Sequence, residues 1–306
     1  MVSRKRIRHG SPAVSAAIYT FAILLGFVTL YPLIFIISNS ISKPIEAAAG
    51  NVWLLPKGFS LRAYEYVFQS ATLGRAFLNS IMYTAFIVTA NVTVTMMAGY
   101  GLSRQGLIGK KIIQLYIILP MWFSAGLIPS FINMTRLGLV NSLWAIFLPS
   151  FLSIFYIILA RTFIVKLPPA LMEAATIDGA GVPARFFRIV LPLSKPIIAV
   201  LCLYVALAAW SEWFSYMIYL PTSNDLHPLQ YFLVRTLLIG RAQSELSVTE
   251  IMNMSLQEAK QRLELAYVVP QLKYATIVVT IVPIMCLYPF VQKYFVQGVM
   301  LGSLKE

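Results

Sequence analysis

Charge is scarce in this chain: of 306 residues, 11% are Asp, Glu, Lys or Arg, while 59% are hydrophobic. Soluble domains carry about 25% charged residues, so too little polar surface exists here to cover a water-exposed globule. Cysteine is nearly absent. Cys202 and Cys286 both fall inside apolar stretches, where a thiol behaves as a small hydrophobe, so neither a disulfide framework nor a metal site is expected. The two histidines, His9 and His227, lie far apart and outside the apolar runs, which reads as solvated loop histidines without a ligand cluster. There is no Gly-rich GxxxxGK loop to cradle a phosphate, so any ATP must be held by another chain. No nucleophile with its base and no His/Asp/Glu group sits at a depth where it would catalyse a reaction inside a membrane, and no catalytic residue is assigned. Internal repeats, low-complexity segments and a separate soluble domain are missing as well.

Long apolar runs are abundant. Six are long enough to cross a hydrocarbon core, which takes about 20 helical residues: 14–37, 77–102, 111–132, 142–163, 194–220 and 270–294. Runs such as Ile112 to Pro120 show none of the alternation of a β-barrel strand. The fold class is therefore an all-α polytopic membrane protein, with residues 1–306 forming one transmembrane domain. Pro32, Pro120, Pro149, Pro283 and Pro289 predict kinks. The first run follows Arg4-Lys5-Arg6-Ile7-Arg8, but it is too long for a signal-peptide core and lacks a convincing cleavage site, so it reads as a retained helix.

The net charge of +13 would suggest nucleic acid in a soluble protein, but here its placement decides. With the amino terminus inside, Arg104, Lys110, Lys111, Arg161, Lys166, Arg185, Arg188 and Lys195 join the N-terminal cluster on short cytoplasmic segments. The basic residues outside are spread over longer, acid-diluted loops. Both termini are thus expected in the cytoplasm, with lipid rather than nucleic acid as the surroundings. The loop 164–193 then also faces inward. Outside lie 38–76, with an amphipathic stretch from Leu61 to Phe68, and 221–269, with a capping box at Ser247 and Glu250. Both read as a lid over a pore mouth or as a docking surface for an external protein.

The inward loop carries the chemistry. Pro168 and Pro169 suit the first turn of a helix over Leu171 to Asp178, Gly179 suits its stop, Gly181 allows a bend, and Pro183 starts a second helix that Pro192 ends. Small Ala174, Ala175 and Ala180 keep the first helix slim, while Glu173 and Asp178 offer acceptors to a basic partner. Phe186, Phe187, Ile189 and Val190 are expected against the parent helices.

Glu173, Ala174 and Ala175, then Gly179, then Ile189, Leu191 and Pro192 resemble the cytoplasmic EAA loop by which permease subunits of binding-protein-dependent ABC importers grip their ATPases. Asp178-Gly179-Ala180 and Pro196 are similar to the sugar-importing, maltose-permease-like branch, as are Leu226 to Gln230 and the run Tyr288 to Met300. These last segments look like the branch that takes up complex oligosaccharides. The resemblance implies the six-helix fold of a type I importer permease in a bacterial cell membrane. Its implied partners are a second homologous permease, two ATPase subunits holding ATP and Mg, and an extracellular solute-binding protein that delivers a carbohydrate. A secondary transporter or channel is the alternative, but such a protein typically distributes ionisable residues over several broken helices.

Within the central spans the only acidic side chain is Glu212, in Trp210-Ser211-Glu212-Trp213-Phe214-Ser215-Tyr216. A carboxylate there is costly and marks a functional candidate. Trp213 and Tyr216, three apart, predict an aromatic helix face beside it, so Trp210, Glu212, Trp213 and Tyr216 are candidates for a sugar path. The same stretch also reads as an interfacial aromatic belt with Glu212 paired across a helix interface. Similar permeases often carry Asn where this chain has Ser211. Asn91, Thr93 and Thr95 are expected to bond helix to helix.

Overall fold

The computed structural model describes residues 12–104, 106–123, 125–242, 268–286 and 289, and all regular structure among them is helical. The chain divides into two compact bodies.

The first body comprises Met1–Ser70 and Thr236–Val279. Its long element is α1 (Pro12–Ser40), followed by the short α2 (Pro44–Ala48) and by α3 (Arg62–Gln69). Greasy side chains cover α1 on every side, and the most apolar part of it buries nothing within this chain. Its carboxyl end is different, because Ser38, Asn39, Ser40 and Ser42 are all buried. Burying that many polar groups requires partners. Ser38 Oγ donates to Leu54 O at 2.6 Å, and Asn39 Nδ2 donates to Val52 O at 3.3 Å. Gln271 Nε2 reaches Ser42 O at 2.7 Å, Ser40 O at 3.0 Å and Ser60 O at 3.3 Å. The expected amphipathic stretch forms α3, which buries Ala63 and Val67.

The second body comprises Ala71–Arg235 and Thr280–Glu306. Its pillar is α4 (Ala71–Ser103). Against it pack α8 (Ile154–Val165) and α11 (Lys195–Ser211). The remaining elements are α5 (Lys110–Ile118), α6 (Leu127–Arg136), α7 (Trp144–Ser150), α9 (Pro169–Ile177), α10 (Val182–Leu193), α12 (Phe214–Tyr219) and the first half of α13 (Leu229–Ala242), whose residues from Thr236 on are assigned to the first body. Gly99 sets the crossing of α4 and α8: a Cβ there would stand 2.9 Å from Ala160 Cβ and 3.1 Å from the Arg161 nitrogen. Close approach at a small residue is how membrane helices gain dispersion energy without a hydrophobic drive. Asn91 Nδ2 donates to Ser150 O at 2.7 Å, joining α4 to α7, and Thr95 Oγ1 donates to Asn91 Oδ1 at 3.2 Å. Thr93 instead bonds its own helix at Thr89 O.

Among the described residues four helical stretches are long and apolar enough to cross a membrane: Val14–Ser40, Ala71–Ser103, Trp144–Val165 and α14 (Val268–Cys286). The pair α10 and α11, bent by 79°, makes a fifth. The run 111–132 is not one helix. Pro120 cannot supply the amide needed to continue α5, and Gly126, at φ +83° and ψ 176°, adopts a conformation essentially reserved for glycine before α6 begins. The run 194–220 breaks as well, at Glu212 and Trp213, although no proline or glycine stands at or next to that break. Residues 287–288 and 290–294 of the last run, Ser247 with Glu250, His9, and the Tyr288 to Met300 segment apart from Pro289 lie outside the described residues.

His227 departs from the expected solvated histidine. It is buried, its ring stacks on Tyr231 at 3.9 Å, and Asn79 Nδ2 donates to His227 O at 3.2 Å and to Asp225 O at 2.9 Å. The Leu229 amide donates to Ser80 Oγ at 2.8 Å, so the Leu226 to Gln230 segment is fastened to the start of α4.

Candidate functional site

The loop of 164–193 folds into two helices held at a fixed angle. Pro168 precedes α9 and Pro169 opens it, where its missing amide has no bond to lose. The helix ends in a complete Schellman closure. Asp178 caps it, Gly179 turns left-handed at φ +73°, the Gly179 amide donates to Thr176 O at 3.1 Å, and the Ala180 amide donates to Ala175 O at 2.9 Å. Gly181 then adopts an extended conformation as the N-cap of α10, with Pro183 in its first turn. A side-chain bond joins the two helices, because Arg185 Nη1 donates to Thr176 Oγ1 at 2.7 Å.

The inner face of this element is anchored. Ala175, Phe186 and Val190 are buried, and the Phe186 ring stacks on Tyr100 of α4 at 5.5 Å. Ile189 and Leu191 are half-buried, while Glu173, Ala174, Asp178 and Pro192 are exposed and Ala180 is half-exposed. The acceptors Glu173 and Asp178 are thus open to solvent, Glu173 at the mouth of the cleft between the loop and its supports. Phe187, expected against the parent helices, is 62% exposed. The difference comes from residues 186–190, which are π-helical, so the extra residue in the turn rotates Phe186 and Val190 inward and Phe187 outward. Nor does Pro192 end the helix, which runs to Leu193 before the chain bends at buried Ser194 into α11. A cleft of about 360 Å³ lies between the loop and its supports, lined by Tyr100, Arg104, Met172, Glu173, Thr176 and Arg185.

The second candidate group does not form the aromatic face expected of it. A continuous helix would have aligned Trp213 with Tyr216, but Trp213 stands before α12, as its N-cap. Glu212 explains the break: its Oε1 accepts from the Ser215 amide at 2.8 Å, satisfying a first-turn donor that would otherwise be orphaned. The carboxylate therefore shapes the backbone. Trp210 is buried, donates its Nε1 to Thr280 O at 3.0 Å and meets Phe77 edge-on. Tyr216 is 1% exposed and stacks on Tyr83 at 5.9 Å, deep in the core.

Beside this group is a pocket that sequence reasoning missed. It has a volume of about 280 Å³ and is lined by Ser130 and Asn133 of α6, Pro149 and Ser150 of α7, and Ser215 and Tyr219 of α12. These residues are scattered over 90 positions of sequence, and only their types, polar residues within apolar runs, hinted at them.

A helical membrane protein with a stiff two-helix loop and a polar pocket among its helices is the architecture of a permease subunit. The comparisons with known proteins agree. No family model matches the chain. It is 33% identical to the polygalacturonan/rhamnogalacturonan transport system permease protein YtcP of Bacillus subtilis, over 94% of this chain and 96% of that protein. It is 34% identical to protein LplC of the same organism, over 92% of this chain and 91% of that one. Among solved structures it resembles a bacterial ABC transporter involved in the import of the acidic polysaccharide alginate, with a TM-score of 0.82 and 31% identity over 94% of this chain and 99% of that one. The chain belongs to the family of permease subunits of carbohydrate ABC importers.

Proposed function

We propose that this subunit forms half of a transmembrane path for an oligosaccharide, and that its α9–α10 element couples the path to ATP hydrolysis on a separate chain. The observation that carries the coupling is the geometry of the loop: two short helices, locked by a Schellman closure and by Arg185, anchored inward on Tyr100, with Glu173 and Asp178 exposed. Closure of an ATPase dimer moves rigid bodies, so the element that receives the motion must be short, stiff and firmly seated. In this reading Glu173, Ala174, Ala175, Asp178, Gly179 and Ala180 enter a cleft of the ATPase, while Ile189, Leu191 and Pro192 back them from α10.

The full assembly follows from the family. A second homologous permease completes the pore, two ATPase subunits bind ATP and Mg beneath it, and an external binding protein delivers the sugar. Six spans in the bacterial cell membrane with both termini in the cytoplasm suit the charge distribution. The relatives that handle polygalacturonan/rhamnogalacturonan and alginate support an oligosaccharide cargo. Trp210, Glu212, Trp213 and Tyr216 contribute to the path as its frame: Trp210 and Tyr216 anchor the stretch, and Glu212 starts the helix that carries Ser215 and Tyr219.

Glu173→Lys tests the coupling. A charge-assisted hydrogen bond to a basic group on the ATPase is worth roughly 1.5–3 kcal/mol, and reversing the charge removes it and adds repulsion. The variant should lose uptake and release the ATPase on purification from membranes. Normal retention together with normal uptake would overturn the docking role.

A further inference from the structure

We propose that the pocket between α6, α7 and α12 is a subsite for one uncharged sugar unit of the cargo, held by the Asn133 amide and the Ser215 and Tyr219 hydroxyls. This rests on the carbohydrate-import reading and adds to it a position and a chemistry.

Hydrogen-bonding capacity locates the site. Ser130 and Ser150 spend their protons on their own helices, at Gly126 O and Ile146 O, both at 2.7 Å, and keep only acceptor lone pairs. Among the described residues the Asn133 amide and the Ser215 and Tyr219 hydroxyls have no hydrogen-bond partner, and all three residues line the same cavity. The Tyr219 ring is buried, while its hydroxyl is left accessible at the wall of the cavity. Unspent donors and acceptors converging on one hollow match a ligand that carries both on neighbouring atoms, and a sugar hydroxyl is such a group.

The frame around these groups is fixed. Glu212 holds the Ser215 amide, the Asn141 amide donates to Tyr219 O at 2.7 Å, and the Tyr219 ring stacks on Phe131 at 6.1 Å. Asn91 holds Ser150 O from α4. Both ends of α12 and the end of α7 are therefore positioned before any ligand arrives, which lowers the ordering cost of binding.

Size and charge narrow the ligand. A hollow of about 280 Å³ lies just under the roughly 300 Å³ at which pockets for drug-sized ligands begin, and suits a single ring rather than a whole oligosaccharide. No lining residue is charged. A uronate carboxylate calls for arginine or lysine donors, whereas the charge tied to this wall is the carboxylate of Glu212, of the same sign. The unit seated here is therefore neutral, whatever the other units of the cargo carry.

The test uses the importer purified from membranes with its partner subunits and binding protein and reconstituted into vesicles. Maltotetraose and xylotetraose serve as neutral probes and tetragalacturonate as the charged one. Asn133→Ala with Ser215→Ala should slow uptake of a transported neutral probe about tenfold, the loss of two ordinary hydrogen bonds, while ATPase retention and basal hydrolysis stay at wild-type levels. Tyr219→Phe, which keeps the stacked ring, should slow it in the same direction by a smaller factor. Uptake in the double variant within about twofold of wild type overturns the subsite and leaves the import reading standing. Asn133→Lys should raise tetragalacturonate uptake above wild type; no rise overturns the assignment to a neutral unit. If no probe enters wild-type vesicles or stimulates their ATPase, the import reading itself falls and the subsite with it.

Discussion

Gly179 offers the sharpest test of the coupling element, because its structure separates backbone from side-chain effects. The residue sits at φ +73°, and a Cβ built on it would meet nothing among the described residues within 4 Å. Any cost of substitution inside the subunit is therefore conformational. An L-residue held in the left-handed region loses roughly 1–2 kcal/mol, and asparagine tolerates that region better than alanine or the β-branched valine. Since 1.4 kcal/mol is tenfold in an equilibrium constant, Gly179→Ala should reduce the ratio of loops in the docking geometry to loops outside it by a factor of about 5 to 30. Gly179→Val should go further, and Gly179→Asn should stay near wild type. The assay is the ratio of sugar uptake to ATP hydrolysis in reconstituted vesicles, with ATPase retention measured alongside. The expected order of coupling is Gly, Asn, Ala, Val. If asparagine, larger than alanine, proves as damaging as valine, side-chain bulk against the ATPase decides the outcome and the conformational account is refuted.

Gly99→Leu forces a side chain into the α4–α8 crossing, where even a Cβ meets Ala160 at 2.9 Å, so it should reduce the amount of assembled complex by more than the roughly 1–3 kcal/mol of ordinary overpacking, read as yield of intact importer in mild detergent. Glu212→Gln keeps an acceptor for the Ser215 amide and should transport nearly normally, whereas Glu212→Ala removes that hydrogen bond at about 0.5–1.5 kcal/mol and should lower both thermal stability and uptake; equal behaviour of the two would show that the charge, and not the hydrogen bond, matters. Single cysteines placed at Ser3 and Ser303 should react with an impermeant thiol reagent only after the cytoplasmic face is opened, and one at Asn224 should react from outside; labelling of Ser303 from outside would refute the topology.

Where the backbone needed a particular residue, the sequence could be read. Pro169 and Pro183 each admit few conformations, Gly179 alone among the residues there takes the left-handed turn without strain, and the two helices and the turn between them followed from that. The apolar stretch of α1 was legible for a similar reason, since its length alone nearly dictates its form. Other features depended on partners distant in sequence. The break at Glu212 is made by a side-chain bond to an amide three residues on, which no composition window detects. Tyr216 looked like part of an open aromatic face until Tyr83 supplied a stacking partner. The π-helical turn at 186–190 left Phe187 at the surface although its residue type favours burial as much as that of Phe186. The polar pocket draws on three helices, so each contributor in isolation is one more serine or asparagine in a greasy run.

The 79° corner at Ser194 makes α10 and α11 the two arms of a bell crank. One arm belongs to the coupling element and the other, 17 residues long, ends at Ser211, next to the Glu212 cap of α12. At 1.5 Å per residue that arm is about 25 Å, so turning the corner by about 5° swings its tip through about 2 Å. A sideways push too small to break any contact at the loop would thus arrive, enlarged and redirected, at the wall that bears Ser215 and Tyr219, on the scale of a single hydrogen bond made or lost.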